Sequence, residues 1–283
     1  LSLITNGIMY DKTKADVQVI QKLCDESEKK FSLMLSLDGT NEVHDRNRGI
    51  PGNFKKIEKL IRFFKKEGIE FITGTTITKN NVWNLDELLS YLHRNYIYGR
   101  FRIAEFIDRL YNNCEDTKQY IRNFTEEEIY QLQLFFCKLE FTFEHNSVIK
   151  NTYRNIRHML EGNERIIDCP YKNCEAVNLD CHGNLSYCAP KSPIIGNLLE
   201  KSGLEIYESN LSILENIKKE HCPFCIHDYH SNLLPEFEKN IEQEKEYRSL
   251  IKTDQYILKK DIVRAEFNIN KTDCKRYNYF IIG

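Results

Sequence analysis

The chain opens on an apolar run, Leu1, Leu3 and Ile4, which reads as a strand over residues 1–5 followed by a helix over residues 15–24. Residues 31–37 are apolar throughout most of their length and read as a second strand. After a polar loop over residues 38–52, Asn53 can cap a helix whose Phe54, Ile57, Leu60, Ile61 and Phe64 make one stripe, and Gly68 ends it. Residues 69–78, dominated by β-branched side chains, form a third strand. Asn84 with Glu87 has the form of a capping box for a helix through Leu92, and residues 101–106 suggest a further strand. Strands and helices alternating with short connections imply a parallel sheet, open or closed into a barrel. In either form the active site belongs at the carboxyl ends of the strands. Those ends carry Thr5-Asn6-Gly7, Ser36-Leu37-Asp38-Gly39 and Thr76-Ile77-Thr78. Each is a turn by itself; three in register point to the mouth of a site.

The second half has a different texture. Thr125 with Glu128 starts a helix carrying Ile129, Leu132, Leu134, Phe135 and Leu139. After Asn163 come short strands, turns and clustered cysteines, which places a domain boundary between about Asn146 and Arg165. A charged stretch from Leu234 onward suggests an exposed helix and linker before strand-like residues 262–269 and 277–282. Three segments are therefore expected: a core over residues 1–150, a cysteine-bearing unit over 151–234, and an unassigned tail over 235–283.

Composition changes this picture little. The 283 residues suffice for one large domain or two ordinary ones, and 40 Lys and Arg against 42 Asp and Glu give a net charge of −2. Near-neutrality argues against a nucleic-acid partner, and the short, interrupted apolar stretches argue against a membrane span. The chain starts at Leu1 without Met inside an apolar run and stops at Gly283 inside another, so both ends are expected to be internal to a longer chain. The Lys- and Glu-rich helices have a cytoplasmic character, although a lost leader would leave no trace.

The cysteines change it a great deal. Of ten, six (Cys169, Cys174, Cys181, Cys188, Cys222 and Cys225) lie close together. A disulfide framework is usually small, loop-rich and secreted, so a metal site is the better reading here. His221-Cys222-Pro223-Phe224-Cys225 is a C-x2-C knuckle that turns two thiolates toward one ion or cluster. Residues 177–180 and 185–187 form a hairpin about His182-Gly183-Asn184, which returns Cys188 beside the segment that begins at Cys169. Cys174 and Cys181 compete for the same role. Zinc and an iron–sulfur cluster both accept four thiolates, while a redox dithiol at Cys222 and Cys225 would need a preceding strand rather than the helical run before it.

With these residues in view, the chain over about residues 1–234 resembles the radical S-adenosylmethionine (SAM) enzymes that carry a SPASM or shorter Twitch extension. Thr5-Asn6-Gly7 is similar to the family's third-strand end. The run from Ser36-Leu37-Asp38-Gly39 through Thr40, Asn41, Glu42, Val43, His44, Asp45, Arg46, Asn47, Arg48 and Gly49 to Gly52-Asn53-Phe54 is similar to its fourth-strand segment. Cys169 followed after thirteen residues by Gly183, and after four more by Cys188, matches the first signature of the extension, and Ile195-Gly196-Asn197-Leu198 with Leu204-Glu205-Ile206-Tyr207 matches what usually follows. No Cys follows Cys225 before Cys274, so the resemblance implies one auxiliary cluster rather than two. The family's C-x3-C-x2-C motif is not in the sequence, and its ligands are expected upstream of residue 1.

The resemblance implies a partial (β/α)6 TIM-like barrel followed by a small α+β Twitch/SPASM-like cluster domain. It implies two [4Fe–4S] clusters, of which the auxiliary one uses Cys169, Cys188, Cys222 and Cys225. It places Ser36, Asp38, Asn6, Thr78 and Arg48 around SAM, with a 5′-deoxyadenosyl radical attacking a peptide or a small-molecule or sugar substrate. No catalytic residue is assigned, and an electron donor such as flavodoxin or ferredoxin is implied. The competing reading is a non-catalytic binding module, stabilised by zinc or an iron–sulfur cluster, on a degenerate barrel.

Overall fold

The computed structural model describes residues 1–105, 123–229 and 232–237. The described residues fall into two compact units, one formed by Leu1–Glu105 and the other beginning at Thr125. The strand-like residues 262–269 and 277–282, and most of the charged stretch after Leu234, lie outside the described residues.

In the first unit, β1 (Ser2–Thr5), β2 (Ser32–Ser36), β3 (Ile72–Ile77) and β4 (Gly99–Ile103) form one parallel sheet in the order β1-β2-β3-β4. Its register pairs Thr5 with Leu35, Ser36 with Gly74, and Thr76 with Arg102. The alternation of strands with α1 (Tyr10–Glu26), α3 (Asn53–Lys66) and α4 (Leu85–Arg94) is that expected from the hydrophobic pattern. Leu33, Leu35 and Leu37 are buried on one face with Thr73, Thr75, Phe101 and Ile103, and the α3 stripe Phe54, Ile57, Leu60, Ile61 and Phe64 is buried as well. The opposite face carries Met34, Ser36, Gly74 and Thr76, which are half-buried, and the exposed Arg102. Gly7, at φ +63°, closes the turn after β1 against α3. A Cβ there would stand 2.6 Å from Ile57 and 2.8 Å from Leu60, so glycine alone fits.

Three local expectations are corrected. Residues 38–52 are not all loop: α2 (Asn41–Arg48) lies within them. Its sequence has no apolar stripe, and His44 is its one buried residue, so periodicity could not reveal it. Asn53 does not cap α3. The Asp45 carboxylate does so from the preceding helix, accepting from the backbone N–H groups of Gly52 at 2.5 Å and Phe54 at 2.7 Å. Nor do Asn84 and Glu87 form a capping box: the Asn84 side chain makes no cap bond, and Glu87 accepts from the Thr40 hydroxyl instead.

In the second unit the box expected at Thr125 and Glu128 is complete, with both bonds present, and starts α5 (Glu126–Lys138). A π-helical turn, Leu139–Phe143, follows, and then α6 (Ser147–Leu160), capped by the Asn146 side chain. This helix was not among the elements expected from the hydrophobic pattern, although Ile149, Tyr153 and Ile156 follow helical spacing. The fully buried Glu140 carboxylate joins the two, pairing with Arg154 at 2.7 Å and Arg157 at 3.2 Å. Beyond them, β5 (Asn178–Leu179) and β6 (Asn184–Ser186) make the expected antiparallel hairpin, with Gly183 at φ +82° and Asp180 accepting from the backbone of His182 and Asn184. A third strand, β7 (Gly196–Asn197), pairs with β6, and α7 (Gly203–Ser209) and α8 (Leu211–Glu220) lead to the C-x2-C knuckle.

Candidate metal centre and strand-end loop

The carboxyl end of β2 delivers Ser36, half-buried, and two residues later Asp38, whose side chain is only 2% exposed. The Asp38 carboxylate accepts from Arg48 Nη2 at 3.0 Å, Asn47 Nδ2 at 2.9 Å and the Thr76 backbone N–H at 2.9 Å, and lies 2.6 Å from Arg48 Nε. Three hydrogen bonds and the close Arg48 ion pair surround the carboxylate. Direct ligation of a cofactor by Asp38 would break this set, so in this arrangement Asp38 and Arg48 hold the strand-end loop in shape. Thr78 joins the same net, its hydroxyl donating to Asn47 Oδ1 and its N–H to Asn81 Oδ1. Asn81 also donates to the carbonyls of Asp38 and Thr76, tying the ends of β2 and β3 together. Asn6 is exposed, and its side chain accepts from Ile8 N–H within its own turn. The structure thus gathers Asp38, Arg48 and Thr78 into one bonded net, with Ser36 beside it on β2 and Asn6 outside it on the β1 turn.

Behind the loop, His44 is fully buried. Its Nδ1 accepts from the Asp38 backbone N–H at 3.1 Å, and its Nε2 lies 2.9 Å from Asn53 Nδ2. Burial pushes the His44 pKa below the ordinary 6.5, outweighing the opposing pull of the Asp38 charge. The unfolded chain therefore binds the proton more readily than the folded one. The stabilisation is complete above pH 6.5 and is lost as pH falls below it. We expect unfolding midpoints of the first unit, read from Trp83, the single tryptophan, to drop as pH falls below 6.5. His44→Gln should flatten that slope, and an unchanged slope would show that His44 does not titrate on unfolding.

The second unit contains a cavity of about 290 Å³ with Cys169, Cys188, Cys222 and Cys225 in its walls. Three separate stretches deliver them. Cys169 opens a turn after the segment around Ile167, which is bridged to Leu233. Cys188 lies two residues beyond β6, where Tyr187 is locked by a bond from its N–H to Ser192 Oγ and by its hydroxyl on the Tyr207 carbonyl. Cys222 begins a 3-10 turn straight after α8, and Cys225 N–H bonds back to the Cys222 carbonyl at 3.3 Å. All four are half-buried, while Cys174 and Cys181 are exposed and outside the cavity walls. All eight cysteines among the described residues are free thiols.

Burial, and then the neighbouring sulfurs of Cys169 and Cys188, push the Cys222 thiol above its ordinary pKa. Thiolates crowded in this way repel one another unless a cationic core lies between them, which is the donor chemistry of an iron–sulfur cluster. Among the described residues no three or more His, Cys, Asp or Glu side chains are spaced to grip a single ion. The wall also carries Tyr171 and Tyr229, whose rings lie 4.7 Å apart, and burial raises the Tyr229 hydroxyl above its ordinary pKa so that it stays neutral. Neither tyrosine, nor Arg165 on the same wall, carried any spacing signal in the sequence. Only the folded cavity brings them beside the thiols.

The homologues of the chain are anaerobic sulfatase-maturating enzymes and an AdoMet-dependent heme synthase, which are radical SAM enzymes of the SPASM type. No family model matches the chain. In particular, it is 25% identical over 230 residues to the cysteine-type anaerobic sulfatase-maturating enzyme of Clostridium novyi (strain NT), covering 74% of this chain and 60% of that protein. The enzyme of the same description from Clostridium perfringens (strain 13 / Type A) is 33% identical over 119 residues, 41% of this chain and 27% of that protein. The AdoMet-dependent heme synthase of Oleidesulfovibrio alaskensis is 43% identical over 49 residues, 17% of this chain and 13% of that protein. Among solved structures, native anSMEcpe with bound AdoMet and Cp18Cys peptide aligns with a TM-score of 0.48 at 19% identity, over 78% of this chain and 61% of that one. The chain spans no more than 60% of the length of any of these three curated relatives. No helix among the described residues is long and apolar enough to cross a membrane.

Proposed function

We propose that this chain is part of a radical SAM enzyme that oxidises a peptide or protein substrate, with a portion of a (β/α)6 barrel in residues 1–150 and a Twitch-like auxiliary-cluster unit in residues 151–234. The observation that carries this reading is the meeting of Cys169, Cys188, Cys222 and Cys225 in one cavity. These four would hold one [4Fe–4S] cluster. Ser36, Asn6 and Thr78 would line the SAM side of the sheet, where short hydroxyl and amide side chains suit its polar groups, and Asp38 with Arg48 would hold that wall in place. When bound, SAM and its own cluster supply hydrogen-atom abstraction, and the auxiliary cluster supplies a one-electron acceptor. The chain's residues set the conditions for this: four thiolates leave no iron open for substrate, and Tyr171, Tyr187 and Tyr229 crowd the cavity and limit water.

Full ligation by the protein favours an electron-accepting role, hence a net two-electron oxidation, with flavodoxin or ferredoxin as the class of donor. A peptide or protein substrate is supported by the sulfatase-maturating relative, which aligns over 230 residues against 49 for the heme synthase. Anaerobically purified protein should contain about four irons and four sulfides per chain at this site. Stoichiometric zinc without iron would overturn the assignment. Because no C-x3-C-x2-C spacing occurs in the sequence, this chain incubated with dithionite and SAM should form no 5′-deoxyadenosine above background. Formation of that product would show that the ligand assignment is wrong.

A further inference from the structure

On the wall of the thiol cavity lies Arg165, only 8% exposed. Its guanidinium donates solely to main-chain carbonyls. Nε reaches Ile167 at 3.0 Å; Nη1 reaches Cys225 at 2.8 Å and His227 at 2.9 Å; Nη2 reaches Asp168 at 3.2 Å and Tyr229 at 2.9 Å. Its own N–H bonds to the Pro223 carbonyl at 2.7 Å. One side chain thus ties the stretch leading into Cys169 to the stretch that carries Cys225. No carboxylate among the described residues pairs with it. A buried cation whose acceptors are all neutral keeps its full charge, and such a charge is costly unless an anion shares its surroundings. A cluster held by four thiolates is a net anion.

We propose that Arg165 is the positioning residue of the four-thiol site, acting both as the clamp that fixes the Cys169 and Cys225 segments and as the buried counter-charge that makes the cluster easier to reduce. The inference rests on the cluster reading above. A nearby positive charge favours the more negative, reduced state, so removing it lowers the potential. Lysine keeps the charge but not the planar fork that reaches five carbonyls.

The test compares full-length wild-type protein with Arg165→Gln and Arg165→Lys, reconstituted anaerobically, by iron content, chelator-driven cluster loss and an EPR-monitored redox titration. Arg165→Gln should be at least tenfold harder to reduce in equilibrium constant, a fall of about 59 mV for one electron. Arg165→Lys should keep a potential close to wild type but lose iron to chelator several-fold faster. Iron-free wild type would overturn the cluster reading and this inference with it. Iron-loaded wild type with unchanged potential and chelator resistance in both variants would overturn the role of Arg165 alone. If Arg165→Gln holds no iron, Arg165→Lys decides: iron retained at the wild-type potential supports the counter-charge, and iron lost from a protein with wild-type circular dichroism confines Arg165 to the clamp and refutes the charge role.

Discussion

Serine in place of Cys222 or Cys225 is expected to cut the iron content from about four per chain to near zero, together with the visible charge-transfer absorption of the cluster. A serine hydroxyl has the size of the thiol but is not ionised at neutral pH, so it cannot replace the thiolate ligand. Cys169→Ser and Cys188→Ser should behave alike, because all four walls belong to the same cavity. Cys174→Ser and Cys181→Ser should retain iron, since both side chains are exposed and stand outside it. The loss should also loosen the surrounding unit. Binding free energy at a site that exists only in the folded chain is folding free energy, and the core beneath Cys188, built from Tyr187, Leu214 and Ile217, is small. Iron retained in Cys169→Ser but lost in Cys174→Ser would reverse the choice between those two cysteines.

Asp38→Ala should destabilise the first unit by roughly 3 kcal/mol, the lower end of the range for breaking a buried pair. The carboxylate is 2% exposed, so its removal leaves the Thr76 N–H and the Asn47 amide without an acceptor, although the quarter-exposed Arg48 can turn partly to water. Asp38→Asn should cost nearly as much, because its amide nitrogen would face other donors. Urea unfolding followed by Trp83, which lies in the 3-10 turn Val82–Asn84 of the same unit, reads this effect without interference from the cysteine-bearing unit. The loss should persist in high salt, since the pair is shielded from counterions. An unchanged midpoint with weakened SAM binding would return Asp38 to the role of a direct cofactor ligand.

The parallel sheet was legible in the sequence because its information is periodic. Runs such as Leu33-Met34-Leu35 and the stripe from Phe54 to Phe64 state their own burial, and the Thr125 and Glu128 box states a helix start within four residues. The thiol site was half-legible. The C-x2-C knuckle is local, and the hairpin about Gly183 told how Cys188 returns toward Cys169. The choice of those cysteines over Cys174 came from the resemblance and not from spacing.

What sequence alone determined was therefore whatever is encoded within a few turns of chain: strand, helix, hairpin and knuckle. Tertiary structure decided the partners of single polar side chains. Asp45 caps α3, Glu87 serves Thr40 in place of a cap, and Asp38 is spent on Arg48, Asn47 and Thr76. A lone arginine at position 165 gives no pattern to read. Its meaning lies in five carbonyls, up to 64 positions away, that only the folded chain brings within reach. The physical reason is the same in each case: apolar burial is additive along an element and leaves a repeat, whereas a hydrogen bond or buried charge is satisfied once, by a partner that the fold chooses.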